Sequence, residues 1–172
     1  MAPRTPTVWT NYAIREERLR ERIDARHREL SVQAKVRGRA YRRVRTASDT
    51  DEARRLRGDF LAALGRLASF EFASQRFSRT RFGYQVRVHA DDLSADYIRL
   101  WQLVARRGTG EFPLEQSEDE RRDYFATQLG RLEGIADVLI LAGRDVRLFG
   151  TPNAAYPRSA DARSVILGGQ GD

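Results

Sequence analysis

The residues best suited to binding chemistry lie in segment 35–45, which contains six cations and no anion. Guanidinium groups pair bidentately with phosphate oxygens, and a cluster of cations on one surface attracts polyanions. The residues expected to contact such a ligand are the six cations and the tyrosine among them: Lys35, Arg37, Arg39, Arg42, Arg43, Arg45 and Tyr41. The segment therefore predicts a surface for nucleic-acid backbone. An acidic protein partner and an ordinary solvated helix face are the alternatives.

On a helix, this segment separates into a cationic side and an apolar side. At about 100° per residue, Lys35, Arg39 and Arg42 lie within about 60° of one another. The apolar side is thin and consists of Val36, Ala40 and Val44. An interfacial membrane helix would present bulkier apolar anchors, so no membrane contact is expected. The prediction is an amphipathic helix whose broad cationic side faces a polyanion.

A second cluster could bind a metal. It comprises His89, Asp91, Asp92 and Asp96. Imidazole and carboxylate groups at this spacing suit a divalent cation. Acidic residues are also favoured in the first turn of a helix, where they complement the macrodipole. The second interpretation explains the carboxylates without a metal, and we predict neither a metal nor a cofactor.

The sequence lacks the common signatures of catalysis. It has no cysteine, and its single lysine, Lys35, is followed by valine and cannot complete a nucleotide-binding phosphate loop. The two histidines, His27 and His89, are far apart in the sequence and fall in different predicted elements. The tripeptide 168–170, Gly-Gly-Gln, resembles the catalytic motif of peptide release factors, a match of three residues from which no role is carried over. The chain is therefore predicted to be non-enzymatic.

The basic segment is expected to lie in an antiparallel hairpin of two long helices. The first helix spans about 11–46, and its seam consists of Tyr12, Leu19, Ile23, Leu30, Ala34 and Tyr41. Ser48 or Asp49 would cap the second helix, which spans about 50–79. The apolar stripe of that helix consists of Leu56, Phe60, Leu64, Leu67, Phe70 and Phe77, widened by Leu61 and Phe72. The short connection predicts that the two helices pack side by side.

A strand is predicted next, over residues 81–89. Apolar residues alternate there with polar ones, in the order Phe82, Tyr84, Val86 and Val88. A lone strand needs a partner, and the candidates are 145–149 and 164–167. The expectation is a small sheet of two or three strands beside the helices.

Two further helices are predicted after that strand. Asp91 or Asp92 would cap a third helix over about 93–107. Ser117 and Glu120 form a capping box that opens a fourth. This helix is favoured to continue to about Ala142, with Gly143 as its stop. Residues 138–141 are all apolar, and periodicity alone would also allow a buried strand there.

The charge is concentrated at the beginning of the chain. The net charge is +7, and residues 1–47 hold 13 Lys or Arg against 5 Asp or Glu. The remaining 125 residues are almost neutral, with 18 against 19. The basic excess is therefore a property of the first helix and not of the whole protein.

The predicted fold is mainly α. It has an N-terminal arm at 1–10, a helical domain at 11–149 and an extended tail at 150–172. The long hairpin occupies 11–79, and the second part of the domain occupies 81–149. No apolar run is long enough for a transmembrane helix, and no signal peptide is recognisable, so a cytoplasmic protein is expected.

The function predicted from these features is that of a helical subunit in a larger complex. It would bind the backbone of DNA or RNA without sequence-specific readout. The alternative is a structural or assembly protein, such as a virion component, whose basic helix and tails contact protein neighbours. A homo-oligomer is compatible with either function.

Overall fold

Four α-helices form the part of the chain that the structure, a computed structural model, describes: residues 16–45, 50–80, 83–108 and 117–144. They are α1 (Glu16–Val44), α2 (Asp51–Ser78), α3 (Gly83–Gly108) and α4 (Glu118–Leu141). No strand occurs within these ranges. The predicted mainly α fold is confirmed. The N-terminal arm, the C-terminal tail, the strand candidates 145–149 and 164–167 and the tripeptide 168–170 lie outside the described residues.

The predicted antiparallel hairpin is formed by α1 and α2. The Arg20 guanidinium, near the start of α1, donates to the carbonyl oxygen of Thr80 at 2.8 Å. Near the other end, Arg37 pairs with Asp59 at 3.1 Å. Since residue numbers rise on one helix as they fall on the other, the two helices are antiparallel. The seam residues Leu19, Ile23, Leu30 and Ala34 are all buried, as predicted.

The other long interface, between α2 and α4, was not predicted. Arg57 contacts Asp123 and Arg66 contacts Asp137, so these two helices run parallel. Their backbones approach closely where small residues meet. A Cβ atom on Gly130 would lie only 2.7 Å from the carbonyl carbon of Ala62. Helix α2 is therefore packed between α1 and α4.

The strand predicted at 81–89 is wrong, because α3 already begins at Gly83. The helix buries a line of residues at spacings of three and four: Val86, Ala90, Leu93, Tyr97, Trp101 and Val104. This helical period outweighs the short alternation, and Val88 is left 52% exposed. Asp91 and Asp92 consequently lie inside the helix and do not cap it.

The helix ends follow the sequence signals at α4 but not at α2. At α4 the Ser117 hydroxyl accepts from the backbone N–H of Glu120, and the Glu120 carboxylate accepts from the backbone N–H of Ser117, which completes the predicted capping box. Gly143 has φ of 86° after the helix, as expected of a stop, and residues 138–141 are helical. At α2 the N-cap is Thr50, whose side chain accepts from the N–H of Ala53. The assignment of this cap to Ser48 or Asp49 was wrong.

An ionic cluster joins three of the helices. Asp137 on α4 accepts two hydrogen bonds from Arg66 on α2, at 2.7 and 2.9 Å. It also accepts one from Arg26 on α1 at 3.1 Å. The Asp137 side chain is only 11% exposed, and its hydrogen bonds raise the pKa of Arg66. This cluster helps to fix α1, and hence its outer surface, against the rest of the bundle.

No helix in the described ranges is both long enough and apolar enough to cross a membrane.

Candidate nucleic-acid interface

The predicted binding segment forms the last three turns of α1 and lies at the surface. All six of its cations have exposed side chains. The side of α1 that packs on α2 is lined by Leu30, Ala34 and Gly38, which are buried. A Cβ atom on Gly38 would lie 2.8 Å from the ring of Phe60, so the glycine allows this close approach.

Five cations occupy the outward side of α1, within an arc of about 100° on a helix of 3.6 residues per turn. We call this surface the basic face; its residues are Arg28, Lys35, Arg39, Arg42 and Arg43. It is about 22 Å long at ~1.5 Å per residue. Arg28 extends the surface about two turns beyond the segment that composition singled out.

The cations of the basic face are not neutralised by their neighbours. Within the described part of the chain, the side chains of Lys35, Arg39 and Arg43 make neither a hydrogen bond nor an ion pair. Arg42 uses its Nε to donate to the carbonyl oxygen of Gly38 at 3.2 Å, which leaves the two terminal nitrogens available. The surface therefore presents a row of charges without internal counterions.

Arg37 has different surroundings, although it lies in the same segment. Its guanidinium is directed towards α2, where it donates to Asp59 at 3.1 Å. It therefore lies beside the hairpin interface and apart from Lys35 and Arg39. The structure brings five of the six predicted cations to the outer or terminal surface of α1 and sets Arg37 apart.

Tyr41 is half-buried against α2, and its ring stacks on Phe60 with centroids 6.2 Å apart and an interplanar angle of 28°. Tyr41 thus belongs to the seam that the sequence predicted for α1. One face of its ring is directed to a neighbour within the protein, and the residue also lines the cleft that contains Arg45 and Arg57.

The apolar stripe predicted from Val36, Ala40 and Val44 is not the packing side of α1. Val36 is 54% exposed, while Ala40 and Val44 are partly buried. Val32 is also outward and 59% exposed. The four-and-seven spacing of the predicted seam was the better guide, because its residues are buried from Leu19 to Ala34 and half-buried at Tyr41. Tyr12 of that seam lies outside the described residues.

Arg45 lies at the edge of a cleft where α1 ends and α2 and α4 begin. The cleft has a volume of about 360 Å³ and is lined by both signs of charge. Arg57 and Asp123 form a bidentate pair across it, at 2.7 and 3.2 Å, and this pairing raises the pKa of Arg57. Because these charges neutralise one another, the cleft is less suited to a polyanion than the basic face.

Helix α3 does not bring the residues considered for a metal site into a metal-binding arrangement. His89 packs its ring edge against Phe77, and Asp91 pairs with Arg144. Asp96 pairs with Arg76 at 3.1 Å. No group of three His, Asp or Glu side chains in the described ranges could hold a metal ion. These carboxylates instead connect α3 to its neighbours.

Comparison with known proteins identified no relative, because no family model, curated protein or solved structure matches this chain. The interpretation of the basic face therefore depends on its own geometry and charge.

Proposed function

We propose that this protein is a non-enzymatic helical subunit of a larger complex and binds nucleic-acid backbone through the basic face of α1. The observation that carries the proposal is the row of exposed, unpaired cations at Lys35, Arg39 and Arg43. Each cation that contacts a phosphate releases a condensed counterion, which is the main source of affinity in binding that does not depend on sequence.

The position of these cations argues that they do more than stabilise the helix. Arg42 and Arg43 lie in the last turn of α1, where positive charge is favoured by the helix macrodipole. That effect is confined to about the last turn. It does not account for Arg28, Lys35 or Arg39, which lie further from the helix end.

The proposed contact is with phosphates and not with a particular base sequence. Segment 35–45 contains no Asn, Gln, Asp or Glu, so its lysine and arginines are its only side chains with a common hydrogen-bonding role in base reading, and the same groups pair with phosphates. Arginines in a row on one surface can each reach a phosphate regardless of the bases nearby. Binding should therefore vary strongly with salt and weakly with sequence.

A salt series tests the proposal with a duplex of mixed sequence. Five phosphate contacts predict that log K falls with log salt at a slope of about −4.5. The combined substitution K35Q/R39Q/R43Q should make this slope shallower by about 2.7 and weaken binding roughly 100-fold or more at 0.1 M salt. Fluorescence anisotropy titrations at several salt concentrations would measure both quantities.

The control for that variant is R79Q/R87Q/R99Q, which removes the same charge from exposed arginines at the end of α2 and on α3. It should change affinity far less, because these residues lie outside the basic face. Equal losses in the two variants would show that net charge alone drives binding, and the assignment to α1 would be wrong.

One observation favours the alternative, an assembly protein whose α1 docks a protein neighbour. Val32 and Val36 are exposed on the same side as the cations, and with Ala25 they are spaced by seven and four residues. An acidic amphipathic helix could pack on such a line. The substitution V32S/V36S should weaken that association and leave nucleic-acid binding almost unchanged. Light scattering at low and high salt would reveal a defined assembly without nucleic acid.

A further inference from the structure

We infer that the nucleic acid bound by the basic face is a duplex and not a single strand, an inference that rests on the proposed function. The juxtaposition that supports it is a row of cations on a packed helix, Lys35 to Arg43, without an exposed aromatic ring beside them in the part of the chain that the structure describes.

Proteins that bind single strands usually stack bases on aromatic side chains, at about 1–3 kcal/mol per base. Among the aromatic residues whose exposure the structure describes, only Phe72 is exposed. It lies on α2 next to Glu71, which pairs with His27, so it is at the level of Arg28 and about 12 Å along α1 from Lys35. The ring of Tyr41, the aromatic residue within the basic segment, is stacked on Phe60. From Lys35 to Arg43, the basic face thus offers charge without an exposed aromatic ring among the described residues at its level.

The rigidity of the surface also favours a duplex. Helix α1 is continuous from Glu16 to Val44 and is held to its neighbours by Arg20, Arg26 and Arg37. The backbone positions that carry its cations therefore keep their spacing along about 22 Å. A duplex is itself stiff, with a persistence length of about 150 base pairs, and presents phosphates without further ordering. A single strand would have to be ordered along the helix, at an entropic cost that stacking would not offset here.

The charge density of the nucleic acid also favours a duplex. A duplex carries one charge per about 1.7 Å of its axis, twice the density of one strand. The counterion contribution per contact is also larger, about 0.9 against 0.7 in the salt slope. For five contacts at 0.1 M salt, this difference alone corresponds to about a tenfold preference for the duplex.

A competition experiment tests the inference with the unmodified protein. The probe is a labelled DNA duplex of about 20 base pairs, roughly three times the length of the basic face at ~3.4 Å per pair. The competitors are the unlabelled duplex and each of its separated strands, chosen without self-complementarity. The duplex should displace the probe at a concentration at least about tenfold lower than either strand.

Two other outcomes distinguish failure of the duplex preference from failure of the proposed function. If the strands compete as well as the duplex, and K35Q/R39Q/R43Q weakens their binding, the duplex preference is wrong while the proposed function stands. If wild-type protein binds neither duplex nor strands in low salt, the proposed function fails and the inference fails with it.

Discussion

Arg37 and Arg39 are separated by one residue, yet the fold gives them different roles. Arg37 is paired with Asp59, whereas Arg39 is exposed and has no partner among the described residues. The sequence could predict that the segment is basic, because that is a matter of composition. It could not show which cation the neighbouring helix neutralises, since Asp59 lies on α2, 22 residues further along the chain.

The glycines between α2 and α4 provide a prediction at the level of single residues. A methyl group on Gly130 would clash with the backbone of Ala62, so G130A should destabilise the protein by about 2 kcal/mol or more. The matched control is G58A, whose new methyl would lie 4.0 Å from the Ala126 Cβ in ordinary contact. This change should be neutral or stabilising by up to about 1 kcal/mol. Urea unfolding of both variants would measure the effects, and a neutral G130A would contradict the close packing.

The buried Tyr97 should make the free energy of unfolding depend on pH in the alkaline range. Burial, with a smaller contribution from Glu133, raises the pKa of Tyr97 from 10.0 to about 12. Because the folded protein holds this proton more tightly than the unfolded chain, its stabilising effect is complete below pH 10 and is lost as the pH rises towards 12. Wild-type protein should lose up to about 1.4 kcal/mol per pH unit more than Y97F in that window.

Urea unfolding of both proteins at about pH 9 and about pH 11 would test this difference. Parallel losses in wild type and Y97F would mean that Tyr97 does not retain its proton in the folded state.

At the scale of elements, the sequence predicted the hairpin well because each helix carries a long apolar period. Leu30, Ala34, Phe70 and Phe77 were assigned to the core and are buried. The pattern was less informative at its margins, where Leu64 and Phe72 are 41% and 67% exposed. A wide apolar stripe shows that a helix packs, but it does not show how far around the helix its neighbours extend.

The missed start of α3 and the missed α2–α4 contact have different physical causes. Four alternating residues around Val86 resemble a strand, but burial at helical spacing continues to Val104 and decides the structure. The α2–α4 interface joins helices that are not consecutive and depends on Gly65, Gly130 and Gly134, whose role is to allow close approach. Small residues give no periodic apolar signal, so this contact could not be found in a single sequence.

The ionic cluster around Asp137 is expected to make the main electrostatic contribution to helix packing. The substitution D137N should destabilise the protein by about 1–3 kcal/mol, less than for a fully buried pair because Arg66 and Arg26 are 25% and 28% exposed. The control E133Q removes a carboxylate that contacts the same Arg66 at 3.3 Å but is 56% exposed. Its effect should stay below about 1 kcal/mol. Chemical denaturation of the two variants would contradict this account if E133Q cost as much as D137N.

For the whole molecule, the important property is an uneven distribution of charge. The C-terminal part of α1 is purely basic, and the first turns of α2 and α4 at the same end of the bundle are acidic. Several of these acids are already paired within the protein, for example Asp51 with Arg54 and Asp119 with Arg122. The cations of the basic face are left without such partners. Within the described ranges, this asymmetry concentrates unpaired positive charge on the outer side of α1, which is what the proposed binding of a polyanion requires.

The most direct test compares R39Q with R37Q, two variants that remove the same charge from the same segment. Duplex affinity and its salt dependence would be measured by fluorescence anisotropy, with circular dichroism to confirm that both variants are helical. We predict that R39Q weakens binding about eightfold at 0.1 M salt and makes the slope of log K shallower by about 0.9, while R37Q changes both only slightly. Equal losses in the two variants would contradict the assignment of binding to the basic face.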